Sequence, residues 1–365
     1  MWVWSTAWSG VSIDLYEKKG RSRIVAAPLL TVLIMKPVFA PNYYTRFKCI
    51  ASACRHSCCI GWEIDVDASA LAFYDTVEGE MGDRLRACID READPPCFIL
   101  TPDERCPFLN GEGLCDLICG LGEESLCHIC ADHPRFRHVL PDRVELGLGL
   151  CCEAAARLVL EQTEPFSVVA LPSEQAAQER HAHDEADELD ETTAELLTWR
   201  TELLPMLQDR SMPLSDRIRG VFRRGDIDLY ESDTETFRSF DRIAALLRNM
   251  ERLDPAWDAC LNALETLAED PLHELDGEEG AAYENLVGYF LYRYMTADAT
   301  YWPDAHRTRT AFAVLCTVII HAIHRAMGGG DMDSLCEITR MFSSEIEYSE
   351  ENLECLMGEV EDAVF

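Results

Sequence analysis

Thirteen of the chain's seventeen cysteines fall between Cys49 and Cys152, and this density limits the possible folds more than any other feature. In a small secreted protein it would mean a disulfide framework, whereas in a reducing compartment it means metal or redox chemistry. The compartment therefore decides the reading. Residues 24–35 form an apolar run preceded by Lys18, Lys19, Arg21 and Arg23, the outline of a signal peptide. The run falls well short of the ~20 residues that span a bilayer. It also begins deep in the chain, and its small-residue exit, Val38-Phe39-Ala40, is followed by Pro41. Met35 offers a neater start, so residues 1–34 are expected to be an upstream extension from a misassigned start, disordered or loosely attached. No other segment is long and apolar enough for a membrane, and the expected location is the cytoplasm, with the cysteines binding metal.

A chain of 365 residues exceeds the usual single core, so two domains are expected. The formal charge of −34, from 32 Lys+Arg against 66 Asp+Glu, excludes a nucleic-acid surface, because such a field repels a polyanion. It attracts cationic partners, lysine-bearing proteins among them, and confers solubility.

The expected class is mainly α: an irregular α+β, cysteine-rich metal domain over 35–172, an acidic linker over 173–192, and a helical domain over 193–365. In the first domain, residues 62–77 read as an extended piece and then a helix capped by Asp67. Residues 97–118 read as a hairpin turning at Asn110-Gly111, and 136–150 as a second one around Pro141-Asp142. So much turn chemistry leaves little apolar packing, which is the situation in which a metal supplies folding free energy. His181 and His183 lie in the acidic linker. Beyond it, apolar residues at spacings of three and four predict helices over 194–208, 236–253, 256–268, 280–296, 308–327, 331–346 and 350–364, with a stop at Gly328-Gly329-Gly330. The stripe Tyr283, Phe290, Tyr294 reads as core.

The cysteines come in three groups. The first is Cys49, Cys54 and Cys58-Cys59, followed by Gly61-Trp62. The second is Cys106, Cys115, Cys119, Cys127 and Cys130, followed by His133-Pro134-Arg135. The third is Cys151-Cys152-Glu153. Thiolates suit zinc or iron–sulfur clusters. Only Cys127 and Cys130 have the C-x2-C spacing of a zinc knuckle, and no ferredoxin run occurs, so spacing says metal without saying which. Neighbours such as Cys58 and Cys59 seldom both bind one ion; one of them packs or serves another site. No G-x-G-x-x-G loop follows a strand, and Gly147-Leu148-Gly149 is too slight a pattern to mark a nucleotide site.

These motifs resemble a family. Tyr44 to Cys49, Ala53-Cys54, Cys58-Cys59 and Gly61-Trp62 are similar to the opening of bacterial flagellin lysine-N-methylases. Cys106-Pro107-Phe108-Leu109, Gly113-Leu114-Cys115, Leu121-Gly122, and Cys130 with His133-Pro134-Arg135 are similar to their middle motif, and Leu148 to Glu153 to their third block. The likeness continues through Leu204 to Arg210, Pro213-Leu214, Glu284-Asn285-Leu286, Tyr289 to Tyr294, and Glu345-Ile346-Glu347 to Asn352-Leu353. It covers nearly everything from Met35 onward. The cysteine motifs are shared with a broader family of small zinc- or iron-chelating proteins; the helical half narrows the match.

The resemblance implies a transferase that moves methyl groups from S-adenosylmethionine to lysine side chains of flagellin, its protein partner, with a 4Fe-4S cluster on cysteines. The positions that match that pattern are Cys49, Cys54, Cys58, Cys59, Cys106, Cys115, Cys130 and Cys151. Cys88, Cys97, Cys119, Cys127 and Cys152 are extras of this chain. Methyl transfer needs the neutral lysine, whose free pKa is near 10.4, so a site must desolvate it or remove its proton. Glu284, Tyr289, Tyr292, Glu345 and Glu347 are the candidates the resemblance implies. The alternative is a non-enzymatic zinc- or iron-binding protein whose helical half is an interaction module.

Overall fold

The computed structural model describes residues 36–178, 191–228, 236–267, 275, 279–296 and 305–364. The expectations for residues 1–34, for His181 and His183, and for most of the acidic stretch lie outside them.

In the cysteine-rich half, strand β1 (Val38–Pro41) is followed by α1 (Ala68–Thr76), α2 (Gly79–Cys88), β2 (Ile89–Asp90) and β3 (Cys97–Phe98). Then come α3 (Asp116–Leu121), α4 (His128–Asp132), β4 (Arg135–Val139), β5 (Val144–Leu148), α5 (Glu153–Leu160), β6 (Val168–Ala170) and α6 (Ser173–Gln178). Asp67 caps α1 as expected: its Oδ1 accepts from the N–H of Ser69 at 3.1 Å and of Ala70 at 3.0 Å. Its Oδ2 accepts from the N–H of His128 at 2.8 Å, which ties the start of α4 to α1.

The hairpin over 136–150 is present as β4 and β5, paired from Arg135↔Leu148 to Val139↔Val144. Of the hairpin expected over 97–118 only the tip is formed, where Leu109 bridges antiparallel to Cys115. The Asn110 turn is there, with Asn110 Oδ1 accepting from the N–H of Glu112 and Leu114, but Cys97–Phe98 pairs backward with Ile89–Asp90. The chain after Cys115 enters α3 immediately, so no return strand is left to pair with β3.

The larger sheet has the order β4-β5-β1-β6. Its β1 runs parallel to β5 and antiparallel to β6. Val38, Ala40, Val144, Leu146 and Leu148 share one apolar core with the helices of the second half, whereas Ile64, Val66, Tyr74, Leu85, Phe98 and Phe108 build a separate small core.

The second half is α7 (Glu191–Leu207), α8 (Leu214–Gly225), α9 (Phe240–Arg248), α10 (Trp257–Leu264), α11 (Gly280–Tyr294), α12 (Ala305–Ala326), α13 (Met332–Phe342) and α14 (Glu350–Val364). A π-helical turn, Ser343–Glu347, extends α13. The protein is thus mainly helical. Both α11 and α12 are buried through most of their length, along runs such as 286–291 and 311–320. No helix among the described residues is long and apolar enough to cross a membrane.

Sheet and helices are tied by a buried ion pair. Arg200 of α7 donates to both carboxylate oxygens of Glu145 on β5, at 2.9 and 2.8 Å, with side-chain exposures of 5% and 1%. Arg143 adds a third bond at 2.7 Å.

Inside α12, His321 is buried against the Tyr283 ring, and neither ring nitrogen has a hydrogen-bond partner. Burial lowers its pKa to about 4. The unfolded imidazole takes a proton near pH 6.5, whereas the folded one resists until about 4. Stability is therefore full above pH 6.5 and falls as the pH drops through that window, by up to roughly 3 kcal/mol. Urea midpoints of the wild type should drop between pH 7 and pH 5 by more than those of His321→Phe; equal drops would refute this assignment.

Candidate active site

The C-terminal end of β5 and the turn after it carry Gly147, Gly149, Cys151 and Cys152. A strand turns alternate residues to one face, so Gly147 and Gly149 share a side. A Cβ on Gly147 would lie 2.0 Å from the Phe136 ring, and one on Gly149 would lie 2.0 Å from Tyr348 Oη and 3.3 Å from Arg293 Nη1. The two glycines thus admit an aromatic and cationic layer onto the strand.

Arg293 is the centre of that layer. Its guanidinium carbon lies 4.7 Å from the Phe136 ring centroid, 5.3 Å from that of Tyr348 and 5.6 Å from that of Tyr294. It donates to Tyr289 Oη at 2.7 Å and pairs with Glu347 at 3.3 Å. Glu347 Oε1 also accepts from the hydroxyls of Tyr289 at 3.0 Å and Tyr294 at 2.9 Å, while its Oε2 is buried without a partner. Burial disfavours the Arg293 charge, yet Glu347 holds the guanidinium firmly protonated. The same burial pushes the Tyr289 hydroxyl well above its usual pKa.

Tyr348 is the exposed member, 44% accessible above buried Tyr289, and it shares a hydrogen bond with the Cys151 thiol. Burial raises that thiol to about 12. The π-helical turn ends at buried Glu347, and Tyr348 directly after it lays its ring against Arg293; such turns recur at functional sites. Gly149→Ala should therefore displace Tyr348 and cost about 1–3 kcal/mol of stability. Thermal melts check this, and an unchanged melting temperature would contradict the packing.

The other residues singled out in the sequence are placed elsewhere. Tyr292 donates its hydroxyl to the Leu146 carbonyl at 2.9 Å beneath Arg200. Glu345 accepts from the backbone N–H of Leu253 and Asp254 at 3.1 and 2.5 Å; burial raises its pKa despite these bonds. Glu284 is held by Arg210 at 2.9 Å and Arg217 at 2.7 Å, on the wall of an open pocket with Met212, Pro213 and Gly280. Arg293, Phe136 and Tyr348 were passed over in the sequence. The available signals were Arg293 one helical turn beyond Tyr289, and Tyr348 directly after Glu347.

All seventeen cysteines are free of disulfides. Those of the first two sequence groups other than the exposed Cys119, together with Cys152, gather in two places. Cys59, Cys106, Cys115, Cys127 and Cys130 pack in or against the small core. Cys49, Cys54, Cys58 and Cys152 lie where the loop of residues 49–58 meets the start of α5. That loop is pinned by Arg55, which donates to Glu153 from its backbone at 3.0 Å and its side chain at 3.1 Å, and by His56 against Glu337 at 2.8 Å. Thiols pair by hydrogen bonds at Cys58–Cys59 and Cys127–Cys130. Among the described residues, no three His, Cys, Asp or Glu side chains stand in metal-ligand positions. The donor chemistry nonetheless fits a soft metal, which would replace the protons these thiols share.

Comparison with known proteins gives a partial likeness. Over 137 residues the chain is 28% identical to the Lysine-N-methylase of Salmonella typhimurium, covering 36% of this chain and 34% of that protein. The Lysine-N-methylase of Salmonella choleraesuis matches over the same extent at 28%. The Flagellar biosynthetic protein FliU of Salmonella muenchen is 27% identical over 138 residues, 36% of this chain and 81% of that protein. The match spans about a third of the length of the two methylases. No family model and no solved structure matches the chain. The resemblance read from the sequence is supported over that third.

Proposed function

From its kinship with the flagellar lysine methylases, we propose that the chain transfers methyl groups from S-adenosylmethionine to lysine side chains of flagellin in the cytoplasm. The observation that carries this reading is the convergence of Tyr289, Arg293, Glu347 and Tyr348 with Cys151 at the end of β5. A lysine brought against exposed Tyr348 meets the Arg293 guanidinium among aromatic rings. Like charge and desolvation both disfavour the ammonium form, so the neutral amine is available. Its nitrogen lone pair attacks the methyl carbon, the carbon–sulfur bond breaks, and its electron pair stays on the sulfur of S-adenosylhomocysteine. The methylated nitrogen then releases a proton to Glu347 Oε2, the one carboxylate oxygen there without a partner.

The cysteines Cys49, Cys54, Cys58, Cys59, Cys106, Cys115, Cys130 and Cys151 are the positions proposed for an iron–sulfur cluster. When bound it would supply folding free energy. The acidic chain, at −34, favours encounter with a lysine-bearing surface. Incubating the protein with flagellin and S-adenosylmethionine labelled in the methyl group tests the proposal. Label on lysine supports it. No label from a metal-loaded preparation overturns it in favour of a non-enzymatic metal-binding protein.

A further inference from the structure

We propose that the open pocket between the starts of α8 and α11 is a binding site for a small carboxylate with an apolar body. The site goes beyond the reaction above and does not rest on it. Glu284, on the pocket wall, precedes Arg293 by nine residues of α11, about 14 Å along the helix axis.

The pocket offers about 400 Å³, a volume within the range of small-molecule sites. Its charged lining is Arg210 and Arg217 against Glu284 alone, which leaves one positive charge. In a chain at −34 that is a local reversal of sign, and it selects a monoanion, since a dianion would leave the pocket negative. The methyl donor, whose ammonium and sulfonium outnumber its carboxylate, does not match it.

The donors are already held in place. A guanidinium carries five N–H groups in a planar fork. Among the described residues, Arg210 engages three of them, on Glu284 and the Thr163 carbonyl, and Arg217 engages two, on Glu284 and the Leu207 carbonyl. Glu284 sets both forks, with Arg210 at 2.9 Å and Arg217 at 2.7 Å. The Arg217 side chain is 6% exposed, yet its Nε has no hydrogen-bond partner. A buried charged donor left unmet is costly, and a carboxylate is the acceptor whose geometry fits a guanidinium.

Two helix starts add to the field. Leu214 opens α8, and Gly280 and Ala281 open α11, and all three line the pocket. Neither start is capped by the side chain of its N-cap residue, so the first N–H groups of both helices contribute positive potential. Met212, 45% exposed, forms the apolar wall with Pro213 and Leu214, and this wall takes the body of the ligand.

Calorimetric titration of the full chain with hexanoate, and with hexanamide as its uncharged match, is the test. Hexanoate should saturate one site per chain. Hexanamide should bind roughly ten- to a hundredfold more weakly, the loss expected of a charge-assisted hydrogen bond. Met212→Asp places a negative charge in the pocket at an exposed position outside the Glu284 ion pairs, so it should keep the wild-type melting temperature and lose hexanoate affinity by a similar factor. No saturable hexanoate binding, equal binding of hexanamide, or full affinity in Met212→Asp overturns the site. A chain that binds hexanoate but methylates nothing would refute the proposed reaction and leave this site standing.

Discussion

Glu347→Gln should lower the rate of lysine methylation by roughly 10²–10⁴-fold, the range typical of a lost proton acceptor. The substitution keeps the shape of the side chain, and the amide oxygen still accepts from Tyr289 and Tyr294. It removes the charge beside Arg293 and the acceptor at Oε2. A residual rate that climbs with pH, as solvent base takes over, is expected of a proton acceptor. A purely structural residue would lower activity equally at every pH. Circular dichroism at the assay temperature establishes that the variant is folded, since a buried arginine without its counterion costs stability. A folded Glu347→Gln variant with wild-type turnover would remove Glu347 from the reaction.

The largest loss of stability is expected from Arg200→Ala. Glu145 is fully buried on β5 and receives two of its three bonds from Arg200. Burial alone would raise its carboxyl pKa, but Arg200 and Arg143 hold it below the ordinary value. Removing Arg200 leaves a buried carboxylate with one partner, which costs about 3–5 kcal/mol. That is a large share of a total of roughly 5–15 kcal/mol. Urea unfolding measures it. The double variant Glu145→Leu, Arg200→Met should recover much of the loss, because an apolar pair needs no counter-charge. If Arg200→Ala unfolds at the wild-type midpoint, the pair does not tie sheet to helices.

What the sequence disclosed was mostly local. The helical spacing located α7 and α9 to α14, and the Asp67 cap and the β4–β5 turn were legible because their signals lie within a few residues. Pairings set by distant segments were not. The parallel contact of Val38 with Val144 has no local signature, and β3 chose β2 because α3 occupied the segment after Cys115. Helix α8 was passed over although Leu214, Ile218, Val221 and Phe222 carry helical spacing, its arginines masking the apolar face. Around the candidate site, Tyr289 and Glu347 were named in the sequence. Gly147 and Gly149 acquired meaning only when Phe136, Tyr348 and Arg293 were found against them, since a glycine records the room it leaves and not what fills it.

The central claim is that methyl transfer takes place at the Arg293–Glu347 network beside Cys151. Ultraviolet crosslinking of methyl-labelled S-adenosylmethionine to the full chain, followed by peptide mapping, tests it most directly. Label should fall on peptides that contain Cys151, Tyr289 or Tyr348. Label confined to the pocket of Arg210, Arg217 and Glu284 would contradict it.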